Sequence, residues 1–306
     1  MSRCLVIGNG AIGTTIASRL RILDFSCRFV GRRGPLYITN RFEGWGQVTY
    51  LKVHSLSEED LSRIRIAFVT VRAYDLGGAL ARYLPYLPKN IPIIPFCHGS
   101  VDHIISSAAR KFPDFIWRSG LCSFDSIRVS EDIFKLRSEK GFALWGPSHH
   151  GAESGISPAE QDILNADQQV FFRWDSSATT AIRRKWAFDT VIHSLSASSG
   201  FEQNGLLLSD MKKLRETFAE VYRLGIELWG NWNESEDKLF EDLICRISAV
   251  AAEESSMVRD IRMNRRTENH YLAGRSLGRH HYKILNALAV EIHRKSESAI
   301  SRNRRK

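Results

Sequence analysis

The stretch CLVIGNGAIGTTIASRL, beginning at Cys4, constrains this chain more than any other. Cys4 to Ile7 is a short apolar run, which predicts a buried strand. Gly8, Gly10 and Gly13 follow in the pattern G-x-G-x-x-G, with Ile12, Ile16 and Leu20 recurring behind them at helical spacing. Each glycine has a physical reason in a strand that turns directly into a helix. The first permits the tight turn, the second lets backbone approach a pyrophosphate, and the third lets helix and strand pack closely. The N–H groups of the helix start then point at the phosphates. Gly8, Asn9, Gly10, Ala11, Ile12 and Gly13 are therefore expected to cradle a dinucleotide.

The next apolar run, CRFVG from Cys27 to Gly31, predicts the second strand. An acidic residue at its end would hold the ribose 2′-hydroxyl of NAD. The sequence has GRRG there instead. Guanidinium groups pair with phosphate through two parallel hydrogen bonds, so Arg32 and Arg33 suit the 2′-phosphate of NADP(H). Further buried strands are expected at Arg65–Val71 and Ile91–Phe96, with a helix over RAYDLGGALARYL between them. Residues just past strand ends line the ligand crevice of such a sheet, which brings in Arg72 and His98. The alternation in LYITNR and GQVTYLKVHSL predicts a hairpin insertion. Leu121 to Gly146 also reads as antiparallel, so the sheet is expected to be mixed.

A loop rich in Gly, Ser and Pro, containing the lone pair His149–His150, precedes a helix and the short strand QVFFRW. Beyond Ala178 strand signals fade and long helical patterns take over. The expected organisation is an α/β domain over 1–176 and an all-α domain over 177–306. In the helix RRKWAFDTVIHSLSAS, Lys185, Asp189 and His193 are four residues apart and form one polar stripe, with Phe188, Val191, Ile192 and Leu195 on the opposite face. By itself this is the pattern of an amphipathic helix with a wet side.

The bulk composition narrows the function classes. The formal charge of +9 lies largely in RSLGRHHYK and the tail SRNRRK, unaccompanied by any zinc-finger, RRM or KH signature, so neither nucleic acid nor membrane is an expected partner. No apolar run reaches the ~18 residues of a membrane span. The five cysteines are scattered without a CxxC, and no HExxH occurs, which predicts reduced thiols, a cytoplasmic setting and no metal.

Together these segments resemble the ketopantoate reductase (2-dehydropantoate 2-reductase) family. The resemblance rests on the glycine motif, VTVRAYD, the HG after the fourth strand, RKWAFDTVIH and, above all, ESSMVRDIRMNRRTENHYLAG from Glu254 to Gly274. The family typically reads SSMxxDIxxxRxTExxYxxG there. Ser255, Ser256, Met257, Asp260, Ile261, Arg265, Thr267, Glu268, Tyr271 and Gly274 are in step with it. The resemblance implies a Rossmann-type N-terminal domain and an all-α C-terminal domain like that of 6-phosphogluconate dehydrogenase. It implies NADPH-dependent reduction of a 2-oxo acid to a 2-hydroxy acid, with Lys185 and Glu268 catalytic. Ser256, Asp189, His193 and His98 fall on the substrate side. Arg72, His98 and Cys122 join the glycine loop on the cofactor side, and a homodimer is the assembly in keeping with the family. Thr267 is expected to cap the turn that carries Glu268.

The chain departs from the family where Asn is usual at His98, Asp189 and His193, and Lys at Arg72. Asn hydrogen-bonds a substrate neutrally, whereas an Asp anion repels a substrate carboxylate. Besides ketopantoate reduction, the sequence therefore leaves open a paralogue that reduces an imine or another acid, and an NADP-binding sensor or partner protein with an eroded site.

Overall fold

The computed structural model describes residues 3–31, 39–54, 56–148 and 155–303. Arg32, Arg33, His149 and His150 lie outside the described residues. The chain divides into two compact units, one of residues 1–97 and 101–182, the other of 98–100 and 183–306. The division falls inside a helix, between Ile182 and Arg183, rather than in the loop before it.

The first unit is α/β. Its elements run β1 (Arg3–Ile7), α1 (Ala11–Ile22), β2 (Ser26–Val30), β3 (Thr39–Gly44), β4 (Gln47–Lys52), α2 (Glu58–Ser62), β5 (Ile66–Val69), α3 (Ala73–Tyr83) and β6 (Pro92–Pro95). They continue through α4 (Asp102–Lys111), β7 (Ile116–Ser123), β8 (Ser126–Arg128), β9 (Ile133–Leu136), β10 (Phe142–Pro147), α5 (Pro158–Ala166) and β11 (Phe172–Trp174). The main sheet has the order β11-β10-β7-β6-β5-β1-β2. Pairing is parallel from β2 across to β7, antiparallel between β7 and β10, and parallel again to β11. The expected mixed sheet is thus observed, and so is the hairpin, as the antiparallel pair β3–β4 of a second sheet, β4-β3-β9-β8.

Continuous apolar runs form β1, β5 and β6 because helices cover both faces of a parallel sheet, leaving no wet side to pattern. Every residue of β5 and β6 is buried. The core gathers Val6, Ile16, Leu20, Phe29, Phe68, Phe96, Trp145 and Phe172. Phe68 stacks on Phe96 with centroids 6.1 Å apart and meets Trp145 edge-on at 6.0 Å. β1 lies between β2 and β5, so the strand order reverses beside it. That reversal point is where an open α/β sheet leaves a crevice.

The second unit is helical: α6 (Ala178–Ser199, entered from the first unit), α7 (Met211–Trp229), α8 (Glu236–Ala249), α9 (Ser256–Arg262) and α10 (Lys283–Asn303). Its core takes Phe188, Val191, Ile192 and Leu195 from α6, as the periodicity predicts, with Leu214, Phe218 and Leu224 of α7 and Leu285, Leu288 and Ile292 of α10. Glu220, buried in α7, accepts the Ile284 and Leu285 N–H groups at 3.2 and 2.9 Å, satisfying the first turn of α10.

Candidate active site

The glycine loop of the first unit has the backbone its sequence predicts. Gly8 has φ +118°, a conformation that L side chains rarely adopt. A Cβ at Gly13 would stand 1.8 Å from the Gly8 carbonyl oxygen, so helix and strand meet too closely for any side chain. Gly10 differs: a Cβ there would meet nothing within 4 Å. The protein's own packing does not require glycine at position 10, but a ligand seated on bare backbone does. No side chain caps α1 at Gly10. These features fit a bound pyrophosphate. The loop is braced by Thr70, whose hydroxyl lies 3.0 Å from both the Ile7 and Gly8 carbonyl oxygens. Thr70 follows β5 and was not among the expected site residues; its position one residue past an apolar strand is the signal that points to it.

Arg72 takes the N-cap position of α3, at the same sheet edge as the glycine loop. Cys122 lies inside β7, half-buried and paired with Ala143 of β10. Burial pushes the Cys27 thiol up to about 12 and the Cys4 thiol well above its ordinary value, so these two are inert core groups.

The second unit builds a polar cluster on α6. Lys185, Asp189 and His193 do share a face, and the Lys185 ammonium is bonded to Asp189 Oδ2. His98 Nδ1 approaches the same oxygen at 3.4 Å, while His193 Nε2 lies 3.9 Å from Asp189 Oδ1. The segment carrying His98 is held by Tyr271. Its carbonyl oxygen accepts the Ser100 N–H at 2.8 Å and the Trp186 indole N–H at 3.1 Å. Gly99, at φ +91°, packs so tightly that a Cβ would stand 2.5 Å from the Tyr271 Cβ. One backbone oxygen thus ties a remote tripeptide to α6.

Burial alone would raise the Asp189 carboxyl, but Lys185, His98 and His193 outweigh it and hold the group well below the usual carboxylate range. Burial lowers His193 to about 4 against the opposing pull of Asp189, with Lys185 and His98 lowering it further; Glu268 is near enough to raise it slightly. At neutral pH Asp189 is therefore an anion and His193 a neutral imidazole.

One detail of the Glu254–Gly274 stretch differs from expectation. Thr267 does not cap a helix. Glu268 itself is the residue that leads into a single 3₁₀ turn, Asn269–Tyr271, with no side-chain cap. Asn269 supplies the anchor instead, donating to the Ala289 carbonyl at 2.8 Å, so the turn is fixed by α10 rather than by its own cap. Ser255, 2 % exposed, adds a contact not expected from the sequence: its hydroxyl lies 2.9 Å from His193 Nδ1. Ser256, expected on the substrate side, is the first residue of α9. Glu268 is buried beside this cluster at 7 % exposure.

The arrangement offers a half-exposed ammonium, an ionised carboxylate, a neutral imidazole and a second imidazole. It can stabilise developing negative charge and deliver a proton. The sequence shows no metal-ligand spacing, yet the fold brings two histidines and an aspartate together.

The sequence matches the family profile for ketopantoate reductase PanE/ApbA over residues 4–147 and that for its C-terminal domain over 178–282. No curated protein gives a significant match. Among solved structures, 2-dehydropantoate 2-reductase from Methylococcus capsulatus is similar at TM-score 0.79 and 18% identity, with 97% of each chain covered. Dimeric ketopantoate reductase from Staphylococcus aureus gives 0.76 at 17% identity, covering 97% of this chain and 99% of that one. D-mandelate dehydrogenase, in a ternary structure with NADH and anilino(oxo)acetate, gives 0.80 at 13%, again over 97% and 99%. At these identities the likeness establishes the fold, an α/β unit followed by an all-helical one. Since the two profiles span most of its length in the order that this fold requires, the chain belongs to the ketopantoate reductase family.

Proposed function

We propose that this protein is an NADPH-dependent reductase that converts a 2-oxo acid to the 2-hydroxy acid. The observation that carries this reading is Lys185: an ammonium on α6, 27% exposed at its side chain, held by Asp189, itself 13% exposed, beside His98 and His193. Neighbours named for 2-dehydropantoate and for mandelate support the 2-oxo and 2-hydroxy acid class. Arg32 and Arg33 support the 2′-phosphate of NADPH, although the mandelate enzyme is seen with NADH. The dimeric relative supports a homodimer.

A bound nicotinamide cofactor supplies the hydride. Gly8 to Gly13, with Arg32, Arg33 and Arg72, would hold it, while His98 and Cys122 remain proposed contacts. The chain's own chemistry centres on the lysine. Asp189, one helical turn away, fixes Nζ in place, and the ammonium donates to the substrate's oxo oxygen, stabilises negative charge as it grows there, and gives up its proton. Glu268 tunes the charge around it. Ser256 and His193 lie on the substrate side of this reading.

Asp189 favours a second substrate class within the same chemistry. Its anion offsets the ammonium that a substrate carboxylate would seek, and it would attract a cationic amino or iminium group. Ketopantoate itself is therefore expected to be a poor substrate.

The test is NADPH oxidation against a panel of 2-oxo acids, ketopantoate included, with and without an added amine. Turnover of at least one is expected; none, from folded protein that binds NADPH, would leave a cofactor-binding sensor in its place. NADPH should also bind more tightly than NADH. Arg32→Ala or Arg33→Ala should remove most of that difference, about one to two decades of affinity for a lost charge-assisted contact worth ~1.5–3 kcal/mol. Equal affinities in the wild type would sink the NADPH assignment.

A further inference from the structure

We infer that His98, Asp189 and His193 form a three-ligand site for a divalent cation of the zinc class. The three side chains come from stretches far apart in sequence, and their ligand atoms all lie within 4.8 Å of one another. The His98 Nδ1 to Asp189 Oδ2 separation is 3.4 Å, and that from His193 Nε2 to Asp189 Oδ1 is 3.9 Å. Ligands at ~2.0–2.1 Å from a tetrahedral zinc stand about 3.3 Å apart, so pairs separated by up to 4.8 Å need to close by at most about 1.5 Å, shared between two side chains. Two imidazoles and a carboxylate, with a coordination position left over, make the donor set of an open zinc-type site.

A second observation orients a ligand. A metal-bound histidine gives its other ring N–H to a fixed partner, which sets the tautomer and aims the free lone pair. His193 Nδ1 lies 2.9 Å from the buried hydroxyl of Ser255, and its Nε2 faces Asp189. The backbone that carries His98 is held through Gly99 and Ser100 against Tyr271. The Lys185 ammonium occupies Asp189 Oδ2, the oxygen that His98 also faces. Lysine and dication therefore compete for one carboxylate and repel each other, so the affinity of the site is set by how firmly Lys185 holds on.

The inference is independent of the reductase reading, because ion binding can be measured whether or not any oxo acid is turned over. The full chain, stripped with chelator, is titrated with Zn²⁺ against a chromophoric competitor, and separately with Co²⁺ followed by visible absorption. One equivalent should bind, with a cobalt spectrum free of thiolate charge transfer. In variants shown to keep wild-type circular dichroism, Asp189→Asn and His193→Asn should each weaken binding at least about 100-fold, and Ser255→Ala about tenfold. His281→Asn, at an exposed site paired with Glu227, should change nothing. Lys185→Ala should strengthen binding, since it removes the competing cation; general damage to the cluster would not do that. The inference is overturned by the absence of a tight equivalent, by thiolate bands, by binding that survives both Asp189→Asn and His193→Asn, or by weaker binding in Lys185→Ala.

Discussion

Each unit of the molecule contains a close charge pair, and the two differ in how fully water is shut out. In the first unit Arg118 grips Glu160 through two bonds of 2.8 Å, with the side chains 1% and 0% exposed. Glu160 also accepts the Trp145 indole N–H at 3.0 Å and the Ser157 N–H at 2.8 Å, while Arg118 donates to the Gly155 carbonyl at 2.8 Å and lies over the Trp174 ring. Both carboxylate oxygens are occupied and water has no access. In the second unit Lys185 and Asp189 are 27% and 13% exposed, and Asp189 is shared among an ammonium and two imidazoles. A saturated pair fastens α5 to the sheet and has nothing left to offer a ligand. The open pair leaves its ammonium 27% exposed to solvent. Burial and charge pairing alone therefore do not mark a reactive site. What separates the two is access to solvent.

The contrast can be broken by exchanging the expected outcomes. Lys185→Ala should lower kcat by about two to four decades, as for a lost general acid, with NADPH affinity within a factor of a few and the fold intact. A kcat near wild type would move Lys185 to the class of solvated-face residues. Glu160→Ala should do the reverse. It strands a fully buried guanidinium, and breaking such a pair costs roughly 3–5 kcal/mol, to be read as a drop in denaturation midpoint. A small drop would mean that water or a neighbour replaces the carboxylate, and the pair would no longer count as closed.

The third and smallest effect sharpens the comparison through pH. His193 titrates near 4 in the folded chain and at 6.5 ordinarily. Above pH 6.5 it is neutral in both states and adds no pH dependence. As pH falls from 6.5 toward 4, the unfolded chain takes up a proton that the folded chain refuses, so stability declines by up to about 3 kcal/mol. Melting curves from pH 7.5 to 4.5 should therefore fall more steeply for the wild type than for His193→Asn. Equal slopes would show that the imidazole is solvated in the folded state.

Much of the first unit could be read directly from the chain. The glycine loop, β1, β5, β6 and the hairpin are local features, set by φ preferences, apolar runs and alternation over a few residues. The Lys185–Asp189–His193 stripe was equally local, since 3.6 residues per turn puts it on one face in any α-helix. Its partners were not. His98 stands 91 residues from Asp189 along the chain and reaches it only because Tyr271 pins the tripeptide that carries it. The Ser255 contact to His193, and Glu268 rather than Thr267 at the head of the turn, depend on contacts between separate segments.

The sequence alone determined the family, the two-part architecture and the dinucleotide loop, because each rests on spacing within a short segment. Tertiary structure alone decided that two histidines share one carboxylate with a lysine, that the imidazole beside it stays neutral, and that the Arg118–Glu160 pair is sealed while the Lys185–Asp189 pair is open. Those properties depend on desolvation and on contacts between distant segments. No pattern along a single strand of sequence carries either one, because both arise only when the chain has folded back on itself and excluded water.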